Sequence, residues 1–98
     1  MNELEFRTWL SQQSLKTKVQ CDCISRLKKI EREINYCDLD EEYHKDKCEY
    51  LLSLFANMGR NTEMSKYHNA NFPIGKYSMN TYRLALNKYI KFCKETQN

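Results

Sequence analysis

Glycine and proline are almost missing from this chain: two glycines and one proline occur in 98 residues, all between residues 59 and 75. Gly59 and Gly75 stand alone, so no glycine-rich loop exists to cradle a nucleotide phosphate, and a nucleotide-binding enzyme is not expected. Long apolar runs are missing as well. No stretch approaches the roughly 18 consecutive apolar residues a membrane helix needs, and the opening MNELEF lacks the basic and apolar regions of a secretory signal. A cytoplasmic protein with no membrane partner is therefore expected. Neither sign of charge is in large excess: 16 Lys and Arg face 13 Asp and Glu, a formal charge of +3. That falls well short of a polybasic, nucleic-acid-coating arm, so charge alone names no partner. The five cysteines are an odd number without an export signal, which argues for reduced thiols over a disulfide framework.

What is present suffices for a core. The chain is 41% hydrophobic, with seven Tyr, four Phe and one Trp, enough for one domain over residues 1–98. The patterning is helical throughout. Residues 3 to 12 place Phe6, Trp9 and Leu10 at helical spacing. From Lys16 to Ile34, Val19, Cys23, Leu27, Ile30 and Ile34 draw one apolar stripe with Lys18, Ser25, Lys29 and Arg32 opposite, and Ser14 or Thr17 as the candidate cap. A third helix, capped by Asp38 or Asp40, presents His44, Cys48, Leu51, Phe55 and Met58 on one side until Gly59 stops it. Residues 60 to 78 show no sustained period and read as a long irregular connection with one helical turn. The last helix runs from Met79 to Glu95, with Ser78 or Asn80 near its cap. Tyr82, Ala85, Leu86, Tyr89 and Cys93 face inward, and Arg83, Asn87, Lys91 and Lys94 outward. The expected fold is an all-α compact bundle of about four helices.

Three constellations could carry chemistry. Cys21, Cys23, Cys37, His44 and Cys48 lie within 28 residues and suggest a metal site. Two cysteines separated by one residue inside a helix point about 200° apart, however, and Cys23 and Cys48 fall on apolar stripes where a thiol behaves as a small hydrophobe. His44 and Cys48 could form a nucleophile and its base, but no orienting group or glycine-rich turn accompanies them. The carboxylates Asp38, Asp40, Glu41, Glu42 and Asp46 open a helix, where negative charge opposes the positive end of the dipole. No metal, cofactor, small-molecule substrate or catalytic residue is expected.

The binding reading rests on two cationic faces: Lys18, Lys28, Lys29 and Arg32 on the second helix, and Arg83, Asn87, Lys91 and Lys94 on the last. Such faces neutralise phosphates, or merely keep a helix solvated. A second surface is offered by Tyr36, Tyr43, Tyr50, Tyr67 and Tyr77, since tyrosine combines area with a polar tip.

The segments FRTWL, SLKTKVQCDCISRLKKIERE, DLDEEYHKDKCEYLLSLF and FPIGKYSMNTYRLALNKYIKFCKE together resemble a helical domain found at the N-terminus of restriction endonucleases and related defence proteins. The resemblance covers residues 6 to 95. Tyr82, Arg83, Ala85, Tyr89 and Phe92 match its Tyr-Arg-x-Ala-x-x-x-Tyr-x-x-Phe helix. The start FRTWLSQQSLKTK, with Leu15 and Thr17, is similar to that of the core-binding domain of tyrosine recombinases, a helical domain that clamps DNA without performing the chemistry. The resemblance implies a non-catalytic module whose cations contact the backbone of double-stranded DNA. In the restriction-type proteins a nuclease follows this domain, and the 98 residues contain none. A copy of this kind would occupy a DNA target without cutting. Alternatively it would bind a larger nucleic-acid-associated protein complex as an inhibitor of a bacterial defence nuclease, as compact anti-CRISPR proteins do.

Overall fold

Two long amphipathic helices set the frame of the computed structural model, which describes residues 1–96. These are α2 (Thr17–Glu33) and α6 (Met79–Thr96), which pack on each other, and α1 (Glu3–Ser11) lies across both. Between them in sequence come α3 (Leu39–Asp46), α4 (Glu49–Leu54), a 3-10 turn (Ala56–Gly59) and the short α5 (Thr62–Ser65). Among the described residues there is no strand, and the fold is the all-α compact bundle expected from periodicity. It measures 35 × 29 × 19 Å.

The core follows the apolar stripes. Phe6, Trp9 and Leu10 of α1 are buried, as are Tyr82, Ala85, Leu86, Tyr89 and Cys93 of α6. Phe6 meets Tyr89 edge-on with ring centroids 5.0 Å apart and Phe92 at 5.3 Å, an arrangement that suits the quadrupoles of the rings. A second aromatic group, Phe55, Phe72 and Tyr82, pins the connection before α6 to the bundle. Polar contacts close the chain's start: the Met1 ammonium donates to Glu31 at 2.7 Å and to Asp38, and Asn2 N–H donates to the Tyr89 hydroxyl at 2.9 Å. Tyr89 in turn donates to Asp40, joining α6 to α3.

Among the described residues there are six α-helices, and the difference from about four lies in the middle of the chain. The helix expected from Asp38 or Asp40 to Met58 breaks at Lys47 and Cys48, which both adopt left-handed conformations with φ of 61° and 63°. Asp38 caps α3 as expected, accepting from Glu41 N–H at 3.3 Å. The break turns the remaining stripe: Cys48, Leu51 and Phe55 are buried, His44 is exposed and Met58 is only partly covered. On α2 the residue before the helix is Lys16, with no side-chain cap, in place of Ser14 or Thr17. Ile24 joins the buried face, while Val19 stays 42% exposed at the open end of the stripe. Residues 60 to 78 form the irregular connection with one helical turn. That turn, α5, is held by Asn61, whose side chain accepts from Met64 N–H at 2.8 Å and donates to Leu54 O and Ala56 O.

Candidate nucleic-acid interface

The packing of α6 against α2 and against the end of α1 with the segment after it leaves a groove along α6, formed by three hollows of about 350, 120 and 480 Å³, the first walled by Trp9, Gln13 and Leu15 and the other two by α2. The first and second share Leu84 and Lys88, and the second and third share Arg26 and Thr81, so the three are continuous. Five cations line it: Lys91 and Lys88 at one end, Arg26 in the middle, Lys29 and Lys76 at the other. No Asp or Glu lines any of the three. A groove of one sign with low-dielectric walls focuses potential and concentrates counter-ions of the opposite sign.

The phase of α6 explains the arrangement. At 3.6 residues per turn, Lys88, Leu84 and Lys91 fall within about 60° of arc, and Arg83 lies about 100° from Leu84. Lys88 and Arg26 are half-buried on the shoulders of their helices, beside the buried Cys23. Burial pushes the Cys23 thiol up to about 11, and the nearby Lys88 and Arg26 pull the other way. Lys29 is held over two rings, its Nζ 5.6 Å from the Phe72 centroid and 5.8 Å from that of Tyr82. Such cation–π contact fixes the ammonium without neutralising it.

The cations singled out by periodicity divide into two groups. Lys18 pairs with Asp22 at 3.4 Å, Lys28 with Glu3 at 2.8 Å, and Arg32 lies 3.9 Å from Glu33. Lys28 and Arg7 together hold the Glu3 carboxyl below its ordinary value. These three cations are spent on neighbouring carboxylates. Lys29, Lys91 and Asn87 line the groove, and neither lysine is in an ion pair among the described residues. Arg83 is exposed outside it, and Lys94 lies on the far shoulder of α6 in a hollow that also contains Glu49. Arg26, Lys76 and Lys88 belong to the groove and escaped the sequence reading, because shoulder and loop positions belong to neither face of a helical wheel. The signal available was their place beside the stripe: Arg26 between Ile24 and Leu27, Lys88 between Leu86 and Tyr89.

The other constellations disperse. His44 Nδ1 lies 2.7 Å from Asp40 O on the surface, whereas Cys48 is buried and its Sγ donates weakly to Leu39 O at 3.8 Å. Burial pushes the Cys48 thiol up to about 12. Among the described residues no three His, Cys, Asp or Glu side chains gather so as to hold a metal ion. No helix among them is long and apolar enough to cross a membrane. Of the tyrosines, Tyr36 and Tyr77 are 85% exposed, and Tyr43 is buried under Lys47. Tyr50 and Tyr67 join hydroxyls at 3.0 Å and brace α4 against the segment after α5. Comparison with protein-family models, with curated proteins and with solved structures finds no match for the chain.

Proposed function

We propose that this protein is a non-catalytic helical module of the cytoplasm that binds double-stranded DNA, in a restriction, defence or mobile-element setting, by laying the α6 groove along a phosphate backbone. The observation that carries the reading is the groove's five cations without a lining carboxylate. From Thr81 to Lys91 the helix spans about 15 Å, and a DNA strand carries one phosphate per roughly 3.4 Å of axis, so on the order of four phosphates lie within reach. Phosphate contacts of this kind position a module without reading sequence. The resemblance to defence-associated and recombinase helical domains supports the same partner. The test is duplex binding by fluorescence anisotropy at low salt, with the Arg26→Ala/Lys88→Ala/Lys91→Ala variant beside the parent chain. Loss of more than roughly tenfold in affinity, with unchanged circular dichroism, is expected from three lost contacts. Unchanged affinity would overturn the assignment.

A second reading is favoured by one observation: Val19 and Leu84, 42% and 57% exposed, sit in the middle of the groove. Apolar residues among cations suit an acidic protein partner, as in an inhibitor of a defence nuclease complex. Leu84→Ser separates the two. It leaves duplex binding unchanged under the DNA reading and abolishes inhibition of the nuclease complex under the protein reading.

A further inference from the structure

We infer that the third hollow of the groove is a pocket for a phosphate monoester, the terminal phosphate of a nucleic-acid strand. The inference deepens the DNA reading and rests on it for the strand, while the pocket's chemistry stands on its own residues. The hollow, about 480 Å³, is the largest of the three, and it forms the end of the groove, sharing residues only with the middle one. Asn71, Phe72 and Pro73 of the connection before α6 form part of its lining. A strand running along α6 from Lys91 reaches this hollow last.

Three cations meet in this hollow, Arg26, Lys29 and Lys76, against two in each of the others. An internal diester carries one negative charge, whereas a monoester carries about −1.5 to −2 at pH 7 and three strong acceptor oxygens. The end with the greater positive charge suits the dianion. Arg26 offers a planar fork of donors suited to two phosphate oxygens. Lys29, steadied over Phe72 and Tyr82, supplies a point charge, and the exposed Lys76 can close over the ligand from the connection. Asn71 and Ser78 add polar groups at the edge. None of the three cations is in an ion pair among the described residues, so no carboxylate must be displaced on binding. No His, Asp or Glu lines the hollow. Within it, the second ionisation of the phosphate, near pH 6, is what titrates between about pH 5 and 7.5.

The experiment compares one duplex carrying 5′-phosphates with the same duplex carrying 5′-hydroxyls, by anisotropy at fixed salt and at pH 7.5 and 5.5. The phosphorylated duplex is expected to bind roughly fivefold to tenfold tighter at pH 7.5, the effect of one added charge beside partly exposed cations. The preference should shrink at pH 5.5 and weaken in Lys76→Ala, an exposed position whose truncation leaves the core untouched. Amide and side-chain NMR shifts on adding a nucleoside 5′-monophosphate should gather on Arg26, Lys29, Lys76 and Tyr82. Inorganic phosphate at the same concentration is the source control. Equal affinity for the two duplexes, a preference undiminished in Lys76→Ala, or equal shifts from inorganic phosphate would overturn the strand-end assignment. Failure of both duplexes to bind while the monophosphate shifts those residues would sink the groove reading and leave the pocket standing.

Discussion

Replacing Tyr89 by Phe isolates a polar link that joins three parts of the chain. The ring is fully buried between Phe6 and Phe92, and phenylalanine keeps those contacts, so no cavity term arises. What disappears is the hydroxyl, which accepts from Asn2 N–H at 2.9 Å and donates to the Asp40 carboxylate. Burial and the Asp40 bond push the ionisation of Tyr89 far up, so it acts as a neutral donor. A neutral hydrogen bond contributes about 1 kcal/mol and one to a charged group about 1.5–3, and since Asn2 and Asp40 regain some water the expected net loss is about 2 kcal/mol. In urea, with m near 1–1.5 kcal/mol/M for a small domain, that loss moves the midpoint down by roughly 1.3–2 M at constant m. Tyr43→Phe is the contrasting variant. The Tyr43 hydroxyl is buried without a hydrogen-bond partner among the described residues, so its removal should be neutral or stabilising by up to about 1 kcal/mol. The account is refuted if Tyr89→Phe costs less than about 0.5 kcal/mol, or if the two substitutions cost the same. A Tyr89→Phe/Asp40→Asn cycle with no coupling would refute the Asp40 link in particular.

Three further perturbations test other parts of the fold. Gly59→Ala should cost more stability than Gly75→Ala in thermal melts: both have φ of +82°, but the new Cβ at residue 59 meets the buried Met79 Cε at 2.8 Å, whereas at residue 75 it meets the exposed Arg60 side chain. Equal melting temperatures would contradict the packing around Met79. For the Met1 ammonium, burial lowers the pKa, but bonding to Asp38 and Glu31 outweighs it and the net value is raised. Its stabilisation is therefore full below about pH 8 and lost as pH rises through the raised value. Acetylating that amine should lower the melting temperature at pH 7 by roughly 4–8 °C, equivalent to about 1 kcal/mol after discounting the part-exposed Asp38, and an unchanged melt would refute the anchor. Thiol labelling of the native protein at pH 7.5 should begin at the exposed Cys21, since burial pushes Cys23, Cys37 and Cys93 up to about 11 and Cys48 up to about 12. Cys48 labelling as fast as Cys21 would show that the core opens.

The inward faces of α1 and α6 were legible because their stripes are long and uninterrupted: Tyr82, Ala85, Leu86, Tyr89 and Cys93 all lie in the core. The helix breaks were not. A reader expects glycine where the backbone turns left-handed, yet Asn35 with Tyr36, Lys47 with Cys48, and Asn57 with Met58 adopt positive φ as consecutive pairs. Each such residue costs on the order of 1–2 kcal/mol, which tertiary packing must offset, and nothing local in LDEEYHKDKCEYLL announces it. That unseen break also explains why His44 turned outward. The groove was half legible: helical phase placed Lys29, Asn87 and Lys91 outside, but whether a cation is spent depends on carboxylates brought from elsewhere. Glu3 reaches Lys28 across α1 and α2, a pairing that spacing along α2 cannot reveal.

The central claim is that the unpaired cations of the groove, and not the paired cations of α2, contact phosphate. Duplex affinity measured from about 50 to 200 mM salt tests it most directly. The parent chain should lose affinity log-linearly with salt, and Arg26→Ala or Lys88→Ala should each reduce the slope by roughly 0.9, the value of one phosphate contact on B-form DNA. Lys18→Ala and Arg32→Ala should leave the slope unchanged. No duplex binding even near 50 mM salt, or equal slope losses in all four variants, would contradict the account.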